Sequence, residues 1–141
     1  MICPVDKTPA IVVEYHDIEL DYCTRCRGVW FDAGELELLL ASAGRGGHEA
    51  FLESVLNSPP ALTREKKRRC PICNIRMKKV YIDRQKKTPV DICPEGHGIW
   101  FDGGELETLL RSLAEERPEA EQQYQKLLDH FGETFRPPET A

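Results

Sequence analysis

Two nearly identical runs, GVWFDAGELELLL from Gly28 and GIWFDGGELETLL from Gly98, each stand directly behind a close pair of candidate metal ligands. The chain is therefore one small unit written twice. The first copy offers Cys3, Asp6, Cys23 and Cys26; the second offers Cys70, Cys73, Cys93 and His97. Two ligand pairs separated by a hairpin-length interval are the arithmetic of a tetrahedral zinc site, so the sequence predicts two zinc ions, each held by four protein side chains.

That reading also answers a stability problem. Split by its repeat, a chain of 141 residues gives two halves, each too small to bury a self-sufficient core, and some staple is needed. Disulfides are the usual alternative. The first residues lack the basic start and apolar run of a secretory leader, so the expectation is a reduced, cytoplasmic setting in which the cysteines serve as ligands. The leucine-rich segments are interrupted by Glu35, Glu37, Glu105 and Glu107, which excludes a membrane span.

Each half predicts the same order of elements. Ile11 to Tyr15 and Ile18 to Tyr22 read as a hairpin around His16 and Asp17 that delivers Cys23; Val80 to Ile82 and Val90 to Ile92 repeat it with a longer polar turn through Gln85, Lys86, Lys87 and Thr88. The period then changes. Asp32 with Glu35, and Asp102 with Glu105, have the spacing of a helix capping box, with Asp in the N-cap place. Leu36, Leu39 and Leu40, and Leu106, Leu109, Leu110 and Leu113, fall on one helical face. The fold class expected is small, metal-stabilised α+β: two zinc ribbons, each followed by an amphipathic helix, plus additional short helices. The boundaries are 1–44 for the first ribbon and helix, ending at Gly44; 45–69 for a short helix through Phe51, Leu52, Val55 and Leu56 and a linker; 70–114 for the second ribbon and helix; and 115–141 for a C-terminal amphipathic helix through Tyr124, Leu127, Leu128, Phe131 and Phe135 with a disordered tail. The stripe of that last helix either packs inside the molecule or makes a homodimer or partner contact.

The ligand sets differ between repeats. Cys3 to Cys70 and Asp6 to Cys73 share one displacement, which places Asp6 where the second repeat has a thiolate; His16, at the far end of the hairpin, is its rival. Aligning Trp30 with Trp100 sets Cys26 opposite Gly96, so the longer reach of His97 replaces the missing thiolate. His48 and His130 have no such partners. Three thiolates with a carboxylate, or with an imidazole, leave each site anionic, and Arg25, Arg27, Arg69 and Arg76 are candidate neutralising neighbours.

The pairs CPVD and CTRC, then CPIC and CPEGH, together with the two GxWFD-containing runs, resemble the transcription-factor-IIB-type zinc ribbon family of small prokaryotic proteins over about residues 3–41 and 70–111. The resemblance implies ribbons with structural zinc and a link with transcription. The family's usual ligands are four cysteines, from which Asp6 and His97 depart.

Closed four-ligand sites rich in thiolate argue for a non-enzymatic protein-interaction module with no catalytic residues. A thiol redox or zinc-sensing role is the alternative drawn from the C-x-x-C spacings, although the βαβ context of a redox motif is missing. Charge supplies another alternative. The net charge of −5 argues against a general nucleic-acid binder, yet residues 64–87 hold eleven basic residues against Glu65 and Asp83, while residues 1–41 hold three basic against eight acidic. Lys66, Lys67, Arg68, Arg69, Lys78, Lys79, Lys86 and Lys87 are therefore candidates for contacting nucleic acid or an acidic partner. Trp30, Phe31, Trp100 and Phe101 read as a minimal core over each hairpin, with base stacking as the alternative.

Overall fold

The structure, a computed structural model, describes residues 1–15, 17–41, 57–63, 66–82 and 88–116, with helical positions at 122–123, 125–126 and 129–130. Its centre is one antiparallel sheet. The first hairpin, β1 (Ile11–Tyr15) and β2 (Ile18–Tyr22), turns through a left-handed Asp17 and is followed by β3 (Val29–Asp32) and helix α1 (Glu35–Ala41). The second half repeats the order as β4 (Lys78–Tyr81), β5 (Pro89–Ile92), β6 (Gly98–Phe101) and α2 (Glu105–Glu116). The first hairpin has the expected bounds, while in the second β4 begins two residues before the expected Val80 and ends before Ile82, and β5 begins one residue before Val90. The Phe51 helix, the Gly44 stop, the C-terminal apolar stripe of Tyr124, Leu127, Leu128, Phe131 and Phe135, and His16, His48, Lys86 and Lys87 lie outside the described residues.

The strands run β1-β2-β3-β6-β5-β4, so the halves do not stand apart as two ribbons. They are zipped together where β3 pairs with β6, Val29 opposite Phe101, Trp30 opposite Trp100, Phe31 opposite Ile99 and Asp32 opposite Gly98. Because the equivalent tryptophans face each other, the register makes the Trp30–Trp100 pair the approximate twofold centre of the molecule. The sequence pattern left β3 and β6 unassigned; each pairs on one side with a strand of its own repeat, β2 or β5, and on the other with its equivalent in the other repeat.

Strand alternation sorts side chains onto two faces. One face gathers Leu20, Tyr22, Val29, Phe31 and their counterparts Val90, Ile92, Ile99 and Phe101 under Leu36, Leu39, Leu106, Leu109 and Leu110 of the helices. Phe31 and Phe101 meet edge to face at 5.5 Å across the repeat boundary. The opposite face carries Trp30, Trp100 and Met77 together with Cys3, Cys23, Cys70 and Cys93. Both tryptophans are fully buried there, and each crosses into the other repeat. A Cβ on Gly28 would lie 2.1 Å from the Trp100 ring, and one on Gly98 would lie 2.6 Å from the Trp30 ring and 2.2 Å from the Phe31 carbonyl oxygen. The glycine two residues before each tryptophan is thus the floor on which the partner's indole lies.

The acidic residue after each tryptophan has a further job beside the expected one. The Oδ1 atoms of Asp32 and Asp102 accept the indole N–H of Trp30 at 2.8 Å and of Trp100 at 3.0 Å. The reciprocal half of the capping box forms in the second repeat, with Glu105 accepting the Asp102 amide at 3.0 Å. A buried indole donor has no water to turn to, and the neighbouring carboxylate satisfies it.

Candidate metal centres

Four chain segments fold into one repeated frame. In each, the amide of the first cysteine donates to the carbonyl five residues on: Cys3 to Thr8, Cys23 to Gly28, Cys70 to Ile75 and Cys93 to Gly98, at 2.8–3.0 Å. Inside three of these loops the chain closes an α-turn, with Lys7, Arg27 and Asn74 donating back to Cys3, Cys23 and Cys70, and these three residues take the left-handed conformation. The tight turn aims amides at sulfur, Val5 N–H at Cys3 Sγ (3.3 Å), Gly28 N–H at Cys26 Sγ (3.4 Å) and Ile72 N–H at Cys70 Sγ (3.4 Å). Such donors stabilise thiolates.

The fourth loop departs in a way that explains its histidine. Here Gly96, not the residue after it, donates to Cys93, so the turn is one residue tighter and Gly96 holds the left-handed position at φ 80°. The next residue, His97, then falls where the other loops put their left-handed residue, and its imidazole supplies the extra reach. Its Nδ1 lies 3.4 Å from Cys93 Sγ.

The donor atoms of Cys3, Asp6, Cys23 and Cys26 all lie within 4.8 Å of one another, as do those of Cys70, Cys73, Cys93 and His97. Within the sets, Cys3 Sγ is 3.6 Å from Cys26 Sγ and Cys73 Sγ is 3.7 Å from Cys93 Sγ. Bond lengths of about 2.3 Å to a tetrahedral zinc require a sulfur–sulfur edge of roughly 3.8 Å, and a sulfur–oxygen or sulfur–nitrogen edge of roughly 3.5 Å. The Asp6 Oδ2 to Cys23 Sγ distance of 3.4 Å meets the second requirement. All six cysteines are unpaired thiols, and the separations are far from a sulfur–sulfur bond of about 2.05 Å. Both donor sets fit zinc.

Asp6 is prepared for its role by Thr8, which the sequence reading passed over. The Thr8 hydroxyl and amide both donate to Asp6 Oδ1, at 2.6 and 3.0 Å, which holds the carboxyl down at a pKa of about 2. Oδ2 is left to face the sulfurs. The D-x-T spacing of a side-chain-capped turn was the available signal. The same hydroxyl lies 3.3 Å from Cys23 Sγ; burial raises that thiol, but the Cys26 amide and Thr8 outweigh it and hold Cys23 below its ordinary value. Burial pushes Cys26 upward and Cys70 up to about 11, while the Ile75 amide draws Cys73 down to about 7. Thiols packed this closely cannot all ionise unless a cation joins them.

The basic candidates separate on inspection. Lys66, Lys67 and Arg69 are exposed and Arg68 is half-buried. Lys78 donates from Nζ to the Ser58 carbonyl at 2.6 Å. Lys79 is a correction: it is buried beneath the sheet, its ammonium 3.3 Å from Asp91 and 3.7 Å from Asp102, and so is withdrawn from any surface partner. It alternates onto the tryptophan face, where Asp91 lies directly across the hairpin. Arg69 donates to the Asn74 carbonyl at 3.1 Å, at the end of a ligand loop. Base stacking by Trp30, Phe31, Trp100 or Phe101 is likewise overturned, because all four rings are fully buried.

Paired ligand loops at the ends of hairpins, four donors converging in each half and an aromatic seam between the halves define a small metal-knuckle β-sheet protein. A family model described as "Transcription factor zinc-finger", the TFIIB-type zinc ribbon, matches residues 2–42 and again 69–112, and the chain belongs to that family. No curated protein and no solved structure gave a match. No helix among the described residues is long and apolar enough to cross a membrane.

Proposed function

We propose that this chain is a non-enzymatic, cytoplasmic protein-interaction module, linked to transcription, whose two zinc ions are structural. The observation that carries the reading is the closure of both ligand sets: four protein donors within 4.8 Å in each repeat fill a tetrahedron and leave no position for water or substrate. Thiolate-rich coordination also makes zinc a weak Lewis acid, which argues against hydrolysis. The ions fix the ligand loops beside the shared apolar core, and the surfaces they hold in place do the binding. A link to transcription follows from the family alone.

Elemental analysis and native mass spectrometry of protein purified without added metal test the structural claim. The expected result is two zinc ions per chain, and one for Asp6→Ala with the second site retained. A folded metal-free chain, or cysteines joined as disulfides, overturns it. A second reading, nucleic-acid binding through exposed Lys66, Lys67 and Arg69, predicts DNA or RNA affinity that falls steeply with salt. Absence of binding at low salt removes it.

A further inference from the structure

The two outer edges of the sheet are finished differently. Along β4, residues 58–62 of the chain lie against the strand: the Ala61 amide donates to the Lys79 carbonyl at 2.8 Å, and the Tyr81 hydroxyl donates to the Leu62 carbonyl at 3.3 Å. The register makes Val12 the counterpart of Lys79, since Val12 pairs with Asp21 as Lys79 pairs with Asp91. Because Lys79 turns its carbonyl outward, Val12 does the same, and two residues on Glu14 follows. Among the described residues nothing pairs with that outer edge of β1, and Ile11 and Val12 are 50% and 62% exposed. An open edge of this kind is a template for another strand.

The side chains beside the edge say what kind of strand. The hairpin from 11 to 22 carries Glu14, Asp17, Glu19 and Asp21 and no lysine or arginine. Cross-strand pairing puts Val12, Glu14, Glu19 and Asp21 on one face, with Ile11 and Val13 on the other. In the second repeat an ammonium, that of Lys79, sits on the Asp91–Asp102 pair. In the first repeat Val12 stands across from the equivalent aspartate, Asp21, and although the N-terminal ammonium is near enough to act on that carboxyl, neither Asp21 nor Asp32 forms such an ion pair among the described residues.

We propose that the outer edge of β1 docks an extended, lysine-bearing segment of a partner protein, which adds a strand to the sheet and lays its ammonium groups over Asp21, Glu19 and Glu14. Main-chain bonds from Val12 and Glu14 give the affinity, and the alternation of cationic and apolar side chains gives the selectivity. The inference rests on the protein-interaction reading above and names its surface and partner chemistry.

The test uses the full zinc-loaded chain, labelled for amide NMR, with the synthetic peptide Thr-Lys-Val-Lys-Val-Lys-Thr as probe and its Lys-to-Glu version as control. In the free protein the Val12 and Glu14 amides exchange freely; saturating lysine peptide slows both at least tenfold, and the glutamate peptide binds at least tenfold more weakly. Val12→Pro removes an outward amide that no ladder bond uses, and Val12→Lys supplies a cation from within; each weakens the lysine peptide at least tenfold while zinc content and the remaining spectrum hold. The inference is overturned by amides already protected in the free chain, by perturbations centred elsewhere, by equal binding of the two peptides, or by no binding at about 1 mM peptide. Zinc is quantified in the same samples, so a negative result with two ions bound sinks the docking edge alone, and loss of zinc or fold sinks the module reading itself.

Discussion

The two repeats share a backbone frame and differ in what completes it. The first closes its metal site with Asp6 clamped by Thr8; the second tightens one loop at Gly96 and closes with His97. The second neutralises its buried aspartate with Lys79, whereas the first has Val12 in that register. The second covers its outer strand with residues 58–62, and in the first nothing among the described residues pairs with that strand's outer edge. The knuckles, the tryptophan seam and the leucine faces are thus what the architecture requires twice, and the second repeat is the more self-contained of the two.

The largest effect expected is from metal removal, which treats the repeats alike at the end and unlike on the way. Structural zinc contributes about 10–16 kcal/mol to folding a small site, more than the whole stability of a typical domain. Chelation therefore unfolds the sheet, read as loss of the near-ultraviolet signal of the buried tryptophans. The first site, with its harder oxygen donor, releases its ion first. Chelator titration followed by amide NMR separates the two steps; simultaneous release removes the distinction between the sites.

Breaking the buried ion pair comes next. Lys79→Met leaves Asp91, itself fully buried, without its cation, and loss of one partner of a buried pair costs about 3–5 kcal/mol. Burial already lifts the Asp91 carboxyl to about 6, with Lys79 pulling it down, so the variant keeps Asp91 protonated to higher pH and loses part of this penalty in acid. Denaturant titration in excess zinc measures it. A loss below about 1 kcal/mol would mean the pair is solvated and the asymmetry at Val12 unimportant.

Gly98→Ala attacks what the repeats have in common. Its new methyl meets the Phe31 carbonyl and the Trp30 ring, and overpacking of this kind costs about 1–3 kcal/mol. Gly28→Ala meets the Trp100 ring, with no backbone atom among its three nearest neighbours, and is expected to destabilise in the same direction but by less. A Gly28→Ala variant as stable as the parent breaks the picture of an indole lying on that glycine.

These sites also mark where the sequence was legible. Ligand spacing, hairpins and helix starts are local patterns, and they are where the sequence placed them. The β3–β6 seam is a pairing between segments about 70 residues apart, and nothing local to VWFD names its partner. The repeated glycines at 28 and 98 were the one trace of it. Lys79 was hidden by its setting, since a run of basic residues reads as surface until the strand register puts alternate members underneath. Asp32 and Asp102 matched a helix cap, and nothing in that spacing shows that their carboxylates also accept the buried indole N–H groups.

The smallest effect tests whether the missing cation of the first repeat is felt beyond Asp21. Glu35, which follows Asp32 into α1, has its carboxyl raised from 4.5 to about 7, first by burial and then by the hydrogen bond and charge of Asp32. A folded-state value above the unfolded one means that the native chain binds the proton more tightly, so this residue's contribution to stability declines as pH rises from 4.5 to about 7. Glu35→Gln keeps an acceptor for the Asp32 amide and removes the titration. The variant should match the parent near pH 5 and exceed it near pH 8, by less than about 1 kcal/mol because the side chain is only partly buried. Glu105→Gln should gain less, since the Lys79 ammonium already stands 3.7 Å from Asp102. Equal gains at both positions, measured by denaturant titration in excess zinc, would show that the helix ends sense burial alone and that the Lys79 and Val12 difference stops at the sheet.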